Sequence, residues 1–363
     1  MKTIIVFEES SRVEFGGGQK MTLITCDILK ATYDCSFRIV DFSDQTRFDK
    51  IAREKYPECS FVNIAHASAT SDFRMVSWIK AIWQMLLFFK RDVRKTVDGL
   101  RLEDTISYVT NKRSLPYAYY LRKKYGIPFV YHAHLAENPR SFYFPIFRRW
   151  IRKAEIILCV SNLVKETIGL DQCKLLYNPT LNTKGYKGKK TDGHFVVAYV
   201  GGLIPIKGVE YFVGAAKKCP DRIEFRAYGE GPLRMKLEKL AEGRVIFKGF
   251  FKTIIDEYYH DVDIIVLPTI LKEALPLVVV DAKSVGLPVV VTKPGGQAEI
   301  VREGIDGYLV SMKSSEEIAN AIMKIAENLE LYNNLSKASF DSSSIFSYEL
   351  YKEKIVNTFC ELL

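Results

Sequence analysis

Short apolar runs alternate with longer helical patterns along the whole chain. Runs of strand length lie at 3–7, 36–41, 60–64, 105–109, 128–133, 155–160, 195–200, 222–228, 244–248, 263–267, 288–292 and 307–310. Most are continuously apolar and rich in β-branched residues, which is typical of parallel strands covered on both faces. Patterns of helical length separate them, among them 115–125, 206–218, 232–242 and 274–285. Repeated strand–helix units of this kind predict doubly wound α/β sheets.

A polar break divides the pattern into two halves. At 363 residues the chain is too long for one ordinary core and suits two domains of about 150–200 residues each. Residues 181–193 are rich in Gly and Lys and lack periodicity, which predicts an interdomain linker. We therefore expect an N-terminal domain over 1–180 and a C-terminal domain over 194–345. Ligands of such sheets bind outside the carboxyl ends of the strands, which predicts a site in the cleft between the domains.

Cysteine and histidine usage bears on compartment and metal binding. Seven cysteines are scattered without a Cys-x-x-Cys pair, and five histidines show no metal-ligand spacing. No apolar stretch reaches the roughly 20 residues that cross a bilayer, and the first apolar run is too short for a signal-peptide core. These features favour a reduced cytoplasmic protein without a metal site. Asp261 and Asp263 form an Asp-x-Asp sequence, but they lead into a predicted strand, and we interpret the motif as a coincidence.

The net charge of +9 belongs to the first half of the chain. Residues 1–180 contain 28 Lys and Arg against 19 Asp and Glu, whereas residues 181–363 contain 24 of each. Two stretches, 74–101 and 141–153, combine basic with aromatic residues and contain all three tryptophans. Such a mixture suits the headgroup region of a membrane, so we expect both stretches to contact a membrane surface. Alternatively, the aromatics form the N-terminal core and the charges its solvated rim. No recognised nucleic-acid motif is present, so we expect no nucleic-acid partner.

Glycine-containing turns after the second-half strands supply candidate phosphate-binding residues. The first turn runs from Gly201 and Gly202 to Lys207, where a predicted helix begins. Glycine lets the backbone approach a ligand, and a helix N-terminus offers free N–H groups to phosphate, beside which Lys207 adds a positive charge. A plain turn with a solvated lysine is the alternative. Later turns contribute the candidates Gly229, Gly231, Pro232 and Phe247.

Two carboxylates mark the next predicted helix. Glu273 and Asp281 are eight residues apart, about two helical turns, so a helix starting near Ala274 places both on one side. The first carboxylate can hold sugar hydroxyls and the second ribose hydroxyls, while N–H groups between them can hold a diphosphate. The candidates between them are Ala274, Leu275, Pro276 and Leu277.

In order and spacing, these pieces resemble the C-terminal domain of glycosyltransferase family 4, the retaining GT-B enzymes, from about residue 195 to 310. The resemblance implies two Rossmann-like domains facing across a cleft. The family's signature of two glutamates separated by seven residues appears as Glu273 and Asp281, with Asp in place of the second Glu. Gly202 stands where the family often carries a basic residue that helps to bind phosphate. Lys207 is therefore expected to bear most of the diphosphate charge.

The first half is similar to the same family more loosely. Gly16 and Gly17 follow the first strand and resemble the glycine loop that approaches the donor diphosphate. His134, at the end of the strand 128–133, resembles the family histidine near the sugar and the acceptor. A flexible turn and a structural histidine are the alternatives. Residues 346–363 resemble the final helix that returns to the N-terminal domain.

The resemblance implies transfer of a sugar from a UDP-sugar or GDP-sugar to a hydroxyl acceptor, lipid-linked or a surface glycan, with retention and without a metal or other cofactor. The predicted catalytic residues are Glu273, which orients the donor sugar, Lys207, which stabilises the leaving diphosphate, and His134, which positions the acceptor hydroxyl. We expect a cytoplasmic protein, peripheral on the inner face of the membrane. The alternatives are a degenerate homologue that binds nucleotide-sugar without catalysis, and an epimerase or phosphorylase of the same fold.

Overall fold

Two parallel sheets organise the chain, one in each half of the sequence. The computed structural model describes residues 2–8, 16–42, 46–64, 89–181, 185–249 and 261–363. Within these residues the first sheet has the strand order β3-β2-β1-β4-β5-β6-β7 and the second the order β10-β9-β8-β11-β12-β13. The predicted fold class, two doubly wound Rossmann-like sheets, is confirmed.

The first sheet consists of buried, continuously apolar strands. Its strands are β1 (Lys2–Glu8), β2 (Cys35–Asp41), β3 (Ser60–Asn63), β4 (Thr105–Val109), β5 (Phe129–Ala133), β6 (Ile156–Cys159) and β7 (Cys173–Leu175). All neighbouring pairs are parallel, with β1 between β2 and β4. The short β7 was not predicted from the sequence, because three residues are too few to produce a pattern. The strand order reverses between β1 and β4, which is where such sheets bind ligands.

Helices connect these strands. They are α1 (Gly17–Thr32), α2 (Arg47–Lys55), a helical segment at 89–97, α3 (Leu115–Tyr125), α4 (Phe144–Ile151) and α5 (Asn162–Ile168), with 3₁₀ turns at Leu102–Asp104 and Lys112–Ser114. The predicted helix 115–125 is correct at both ends. It ends there because Gly126 takes a left-handed conformation, with φ of 73°, and its N–H donates to the carbonyl of Arg122.

The second sheet repeats the strand–helix alternation. Its strands are β8 (Phe195–Val200), β9 (Ile223–Tyr228), β10 (Ile246–Gly249), β11 (Ile264–Leu267), β12 (Val289–Lys293) and β13 (Gly307–Ser311). Its helices are α6 (Val209–Ala216), α7 (Arg234–Ala241), α8 (Leu277–Ser284), α9 (Ser315–Ala326), α10 (Leu329–Ser342) and α11 (Tyr348–Cys360), with 3₁₀ turns at Pro205–Lys207, Gly296–Glu299 and Ser343–Phe346. The core of this half gathers apolar side chains from β8, β9, α6 and α9, including Phe195, Phe212, Phe225 and Ile322.

The chain divides into two compact units. One comprises Met1–Val160, Val164–Leu176 and Lys352–Leu363, and the other comprises Ser161–Leu163 and Tyr177–Tyr351. The second unit therefore takes in residues 185–193 of the predicted linker. They are held there because the ammonium groups of Lys187 and Lys190 lie 3.4 and 3.3 Å from the carboxylate of Asp263 at the start of β11. Residues 182–184 of the predicted linker lie outside the described residues.

Two predicted helix starts are wrong by three residues. The pattern 206–218 predicts a helix through Lys207, whereas α6 begins at Val209 and Lys207 belongs to the preceding 3₁₀ turn. The pattern 274–285 predicts a helix from Ala274, whereas α8 begins at Leu277. Proline disfavours helical backbone in the residue before it, so Pro276 keeps Leu275 out of the helix. Glu273 thus precedes α8 and does not share a helical face with Asp281.

Candidate functional site

The predicted donor residues gather where the strand order of the second sheet reverses. β8 lies between β9 and β11, so chain segments leave the carboxyl ends of β8 and β11 in different directions. The segment after β8 leads to Lys207, and the segment after β11 leads to Glu273. Ligands of open α/β sheets bind at such a reversal, because neighbouring loops diverge there and leave a crevice.

An ion pair joins these two segments. The ammonium nitrogen of Lys207 lies 2.9 Å from Oε1 of Glu273, and the side chains are 27% and 15% exposed, respectively. The pair is therefore half-buried yet reachable from solvent. Two opposite charges that a bound molecule can still reach offer one hydrogen-bond donor and one acceptor side by side.

Backbone contacts fix the Lys207 turn. The carbonyl of Ile206 accepts hydrogen bonds from the hydroxyl of Thr269 and the N–H of Ile270, both at 3.0 Å. Gly208 is left-handed, with φ of 63°, and a Cβ there would lie 2.2 Å from the carbonyl oxygen of Pro268. Only glycine permits this approach, so the sequence Lys207-Gly208 sets where the ammonium group stands.

A second close approach fixes Glu273. The N–H of Gly296 donates to the carbonyl of Glu273 at 2.7 Å, and a Cβ on Gly296 would lie 1.6 Å from the carbonyl oxygen of Ala274. The segment that carries the carboxylate is thus clamped between the turn after β12 and the turn after β8. Such clamping holds a charged group in place without help from a ligand.

The N-terminus of α8 lies four residues after Glu273, at Leu277. Its first N–H groups, on Leu277 and Val278, have no intrahelical partner by helix geometry, and the helix dipole adds partial positive charge there. An anion such as a diphosphate is stabilised at such a position. The predicted candidates Ala274, Leu275 and Pro276 form the buried, non-helical approach to this helix.

Asp281 lies on α8 but is 5% exposed. Its Oδ1 accepts a hydrogen bond from the hydroxyl of Thr180 at 3.1 Å, and the hydroxyl oxygens of Thr180 and Ser284 lie 3.1 Å apart. Aspartate is one methylene shorter than the glutamate of the family signature, and here its carboxylate bonds to the protein's own Thr180. Contact with a ribose stays a prediction.

The glycine turns after β8 and β9 pack against each other. Gly201 donates its N–H to the carbonyl of Tyr228 and Leu203 donates to that of Glu230, both at 2.9 Å, while Leu233 donates to the carbonyl of Leu203 at 3.1 Å. This ladder brings Gly229, Gly231 and Pro232 beside Gly202. The donor candidates of these two turns therefore lie side by side.

Tyr199 and Arg234 support this surface. The buried hydroxyl of Tyr199 donates to the carbonyl of Gly202 at 2.8 Å, and burial, together with the charge of Glu273, raises the pKa of Tyr199. Arg234 lies over the ring of Phe247 at 5.2 Å, and its guanidinium donates to the carbonyl of Phe247 at 3.2 Å. Phe247 is thus held within β10 by a cation–π contact and a hydrogen bond.

The first unit contains the remaining predicted site residues. Gly16 precedes α1 and its N–H donates to Oε1 of Gln19 at 2.8 Å, while Gly17 is the first residue of the helix. His134 follows β5, and a Cβ on Gly18 would lie 3.8 Å from its ring. The structure therefore brings the N-terminus of α1 and His134 together.

The ring of His134 contacts that of a second histidine, which the sequence analysis did not single out. The rings of His132 and His134 have centroids 4.1 Å apart, and Nδ1 of His132 lies 2.7 Å from the hydroxyl of Tyr108. Burial lowers the pKa of His134 to about 4, and burial followed by the charge of His134 lowers the pKa of His132 well below its usual range. Both imidazoles are therefore neutral near pH 7. The sequence could have indicated His132, because it lies two residues before His134 and side chains two residues apart in an extended chain point to the same side.

Asp263 of the Asp-x-Asp sequence has a structural role. Its carboxylate accepts the N–H of Val196 at 2.9 Å and pairs with two lysines of the second unit. Among the residues that the structure describes, no group of three or more His, Cys, Asp or Glu side chains is arranged to hold a metal ion.

The two basic, aromatic stretches are described unequally. Residues 74–88, with Trp78 and Trp83, lie outside the described residues. The ring centroid of Phe89 lies 4.7 and 5.2 Å from those of Tyr117 and Tyr120. This packing agrees with the alternative interpretation, in which the aromatic residues of the stretch belong to the N-terminal core. The stretch 141–153 is described in full and centres on α4. No helix of the described chain is both long and apolar enough to span a membrane.

Two doubly wound sheets, with a lysine, a carboxylate and a helix N-terminus at one strand-order reversal, define the GT-B class. Residues 194–328 match the family described as Glycosyl transferases group 1, and curated glycosyltransferases are similar to this chain. This match confirms the resemblance stated from the motifs.

Individual relatives agree with this assignment. An uncharacterized glycosyltransferase of Methanocaldococcus jannaschii is 25% identical over 63% of this chain and 67% of its own. An N,N'-diacetylbacillosaminyl-diphospho-undecaprenol alpha-1,3-N-acetylgalactosaminyltransferase of Campylobacter jejuni is 30% identical, over 42% of this chain and 41% of its own. The solved structure of Anabaena Alr3699/HepE with UDP has a TM-score of 0.79 at 20% identity, covering 99% of this chain and 100% of that chain. The matched segment thus spans less than half of the Campylobacter relative, and the structural likeness shows the fold.

Proposed function

We propose that this protein transfers a glycosyl group from a nucleotide-sugar, with UDP-sugars as the favoured donors, to a hydroxyl acceptor. The observation that carries the proposal is the Lys207–Glu273 pair beside the N-terminus of α8. The Anabaena structures, which contain UDP or UDP-glucose, support the choice of a uridine nucleotide.

The site has to stabilise the negative charge that develops on the leaving diphosphate. When the bond from the anomeric carbon to the diphosphate oxygen breaks, negative charge grows on the diphosphate. Lys207 supplies a compensating positive charge, and the N–H groups of Leu277 and Val278 supply fixed dipoles. Because Lys207 has three N–H donors, it can serve the diphosphate while it keeps one hydrogen bond to Glu273.

Retention at the anomeric carbon and independence from a metal are further parts of the proposal. Retention rests on the resemblance to family 4 alone. Independence from a metal is supported by Lys207 and the α8 N-terminus, which supply the positive charge that a divalent ion would otherwise provide. Glu273 would orient the hydroxyls of a hexose, since a carboxylate is an acceptor for two of them.

His134 is proposed to line the acceptor side. Its imidazole is neutral near pH 7, so it offers one donor and one acceptor to a neutral hydroxyl and does not attract an anion. The name of the Campylobacter relative, which acts on a diphospho-undecaprenol, supports a lipid-linked acceptor. With such an acceptor, the protein would work as a peripheral protein on the inner face of the membrane.

A donor screen tests the proposal. UDP-, GDP- and ADP-sugars are incubated with the protein in EDTA, and nucleotide release and binding are measured for wild type, Lys207→Ala and Glu273→Gln. The matched control is Lys218→Ala, which removes one side of an exposed ion pair with Glu316 at 2.7 Å in the same unit. We expect release from a UDP-sugar that both site variants lose and the control keeps.

Other outcomes would select the alternatives. Binding without release would favour the degenerate homologue, which the departures at Gly202 and Asp281 make worth testing. Release that requires inorganic phosphate would indicate a phosphorylase, and a changed sugar on an intact nucleotide would indicate an epimerase. Absence of binding to any donor by a folded protein would contradict the proposal.

A further inference from the structure

The segment around α4 exposes large apolar side chains in the first unit. Phe142 is 90% exposed, Leu135 65% and Ile146 53%. Soluble surfaces carry single exposed apolar residues commonly, but three within twelve residues of one segment need an explanation.

Other aromatic residues of the same segment are buried or half-buried, so exposure is not a general property of it. Phe147 and Ile151 form the buried face of α4, and Phe147 packs edge-on against Tyr131 of β5 at 6.1 Å. Tyr143 lies under the ammonium group of Lys112 at 5.3 Å, and that ammonium pairs with Glu137 at 2.7 Å. These contacts fix α4 on the unit and leave Phe142 and Ile146 directed outward.

The charge of this segment has one sign. Residues 138–154 contain five basic and no acidic residues. Arg149, Arg152 and Lys153 are exposed, as is Arg140 on the loop before α4. Ile146 and Arg149 are three residues apart on α4 and therefore share a face. Apolar side chains at the start of the segment are thus followed by cations at its end.

We propose that the segment 135–153, with Phe142 and Ile146 inserted and Arg149, Arg152 and Lys153 at the headgroups, docks this protein on an anionic lipid surface. A bilayer surface presents acyl chains beneath a layer of phosphates, which matches apolar side chains beside cations. An acidic protein would match the cations but not the 90% exposed Phe142. The docking proposal rests on the proposed function in one respect: a lipid-linked acceptor would explain why the protein binds a membrane surface.

Vesicle co-sedimentation without any donor tests the docking. The probes are phosphatidylcholine vesicles with and without phosphatidylglycerol, at low and high salt. We expect wild type to bind only the anionic vesicles, and less tightly at high salt, because the surface potential acts within a Debye length. Each basic residue near such a surface contributes about fivefold in binding, so Arg149→Glu with Arg152→Glu should weaken it at least about 25-fold.

Further variants separate insertion from charge. Phe142→Ser with Ile146→Ser should weaken binding at least about tenfold at unchanged charge, because the apolar side chains no longer enter the bilayer. The controls are Met235→Ser, which removes an 82% exposed apolar residue of the second unit, and Lys123→Glu, which reverses an exposed charge of α3. Both controls should bind like wild type. Equal binding of wild type and the 142/146 variant, or binding to neutral vesicles as strong as to anionic ones, would overturn the proposal.

The outcome is separable from that of the proposed function. Nucleotide release from a soluble donor, measured without vesicles, should be the same in wild type and in the 142/146 variant. If release is absent in every protein, the transferase proposal fails, while vesicle binding still decides the docking surface. If release is present but vesicles are not bound, the docking surface fails alone.

Discussion

Lys207 and Glu273, 66 residues apart in the sequence, meet through a 2.9 Å hydrogen-bonded ion pair. The two residues come from different strand–loop units, and each is placed by a backbone contact that only glycine permits, Gly208 for the lysine and Gly296 for the glutamate. The pair is partly exposed, so its contribution to the free energy of unfolding is small, about 0–1 kcal/mol. Because the fold depends little on this ion pair, both charged groups are available to bind a ligand.

Removal of either charge should therefore separate activity from stability. We expect Lys207→Ala and Glu273→Gln to lower kcat/KM for the donor at least about 100-fold. Lys207 is proposed to stabilise the negative charge that develops on the diphosphate, and Glu273 to orient the donor sugar in the transition state. Chemical denaturation should show a change of at most about 1 kcal/mol in the free energy of unfolding. If activity falls only in proportion to lost folded protein, the pair has a structural role instead.

Gly296→Ala tests the clamp on Glu273. A Cβ at this position would lie 1.6 Å from a carbonyl oxygen, so the turn after β12 has to move away from Glu273. We expect a loss of about 1–3 kcal/mol in the free energy of unfolding and weaker donor binding, measured by denaturation and calorimetry. Gly193→Ala is the matched control, since a Cβ there meets nothing within 4 Å. Similar behaviour of the two variants would contradict the clamp.

Gly202→Lys tests whether the missing basic residue weakens donor binding. A Cβ on Gly202 would meet only the side chain of Ile204, at 3.9 Å, so a longer side chain has room. We expect donor affinity to rise about tenfold, as a charge-assisted hydrogen bond of about 1.5 kcal/mol to phosphate is added. The rise should disappear at high salt and should be absent in Gly193→Lys. Unchanged or weaker binding would show that Lys207 already meets the charge requirement.

The strand pattern and the motif spacing were enough to predict the fold class, because buried parallel strands are continuous apolar runs. The same information singled out Lys207 and Glu273, which the structure brings into contact. It placed the starts of α6 and α8 wrongly, because a 3₁₀ turn closed by Gly208 and the extended backbone before Pro276 interrupt the apolar periodicity. The bond between Thr180 and Asp281, 101 residues apart, and the attachment of Lys187 to Asp263 depend on tertiary contacts that carry no local signal.

A buried ion pair joins α8 to the residue before β13. The ammonium of Lys283 lies 3.1 Å from Oδ2 of Asp306, and both side chains are at most 1% exposed. Asp306→Ala should cost about 3–5 kcal/mol in the free energy of unfolding, because it leaves a buried charge without its partner. The double variant Lys283→Met with Asp306→Ala should recover part of this loss. Asp341→Ala, which breaks the exposed pair with Lys337, should change stability by at most about 0.5 kcal/mol.

The neutral His134 should make stability depend on pH. Its pKa is lowered by burial to about 4, whereas a histidine of the unfolded chain titrates near its ordinary value of about 6.5. Between these two values the unfolded state binds more protons than the folded state, so stability falls as the pH is lowered through this window. Below pH 6.5, this difference in proton binding lowers the free energy of unfolding by about 1.36 kcal/mol per pH unit. The contribution of His134 to the free energy of unfolding should therefore fall by about 2 kcal/mol between about pH 7.5 and about pH 5. Urea unfolding of His134→Gln and wild type at several pH values measures this effect. Whatever the difference between their free energies of unfolding at about pH 7.5, it should shift by about 2 kcal/mol in favour of the variant at about pH 5. A His134→Gln variant whose stability runs parallel to that of wild type over this pH range would show that the imidazole is not held neutral.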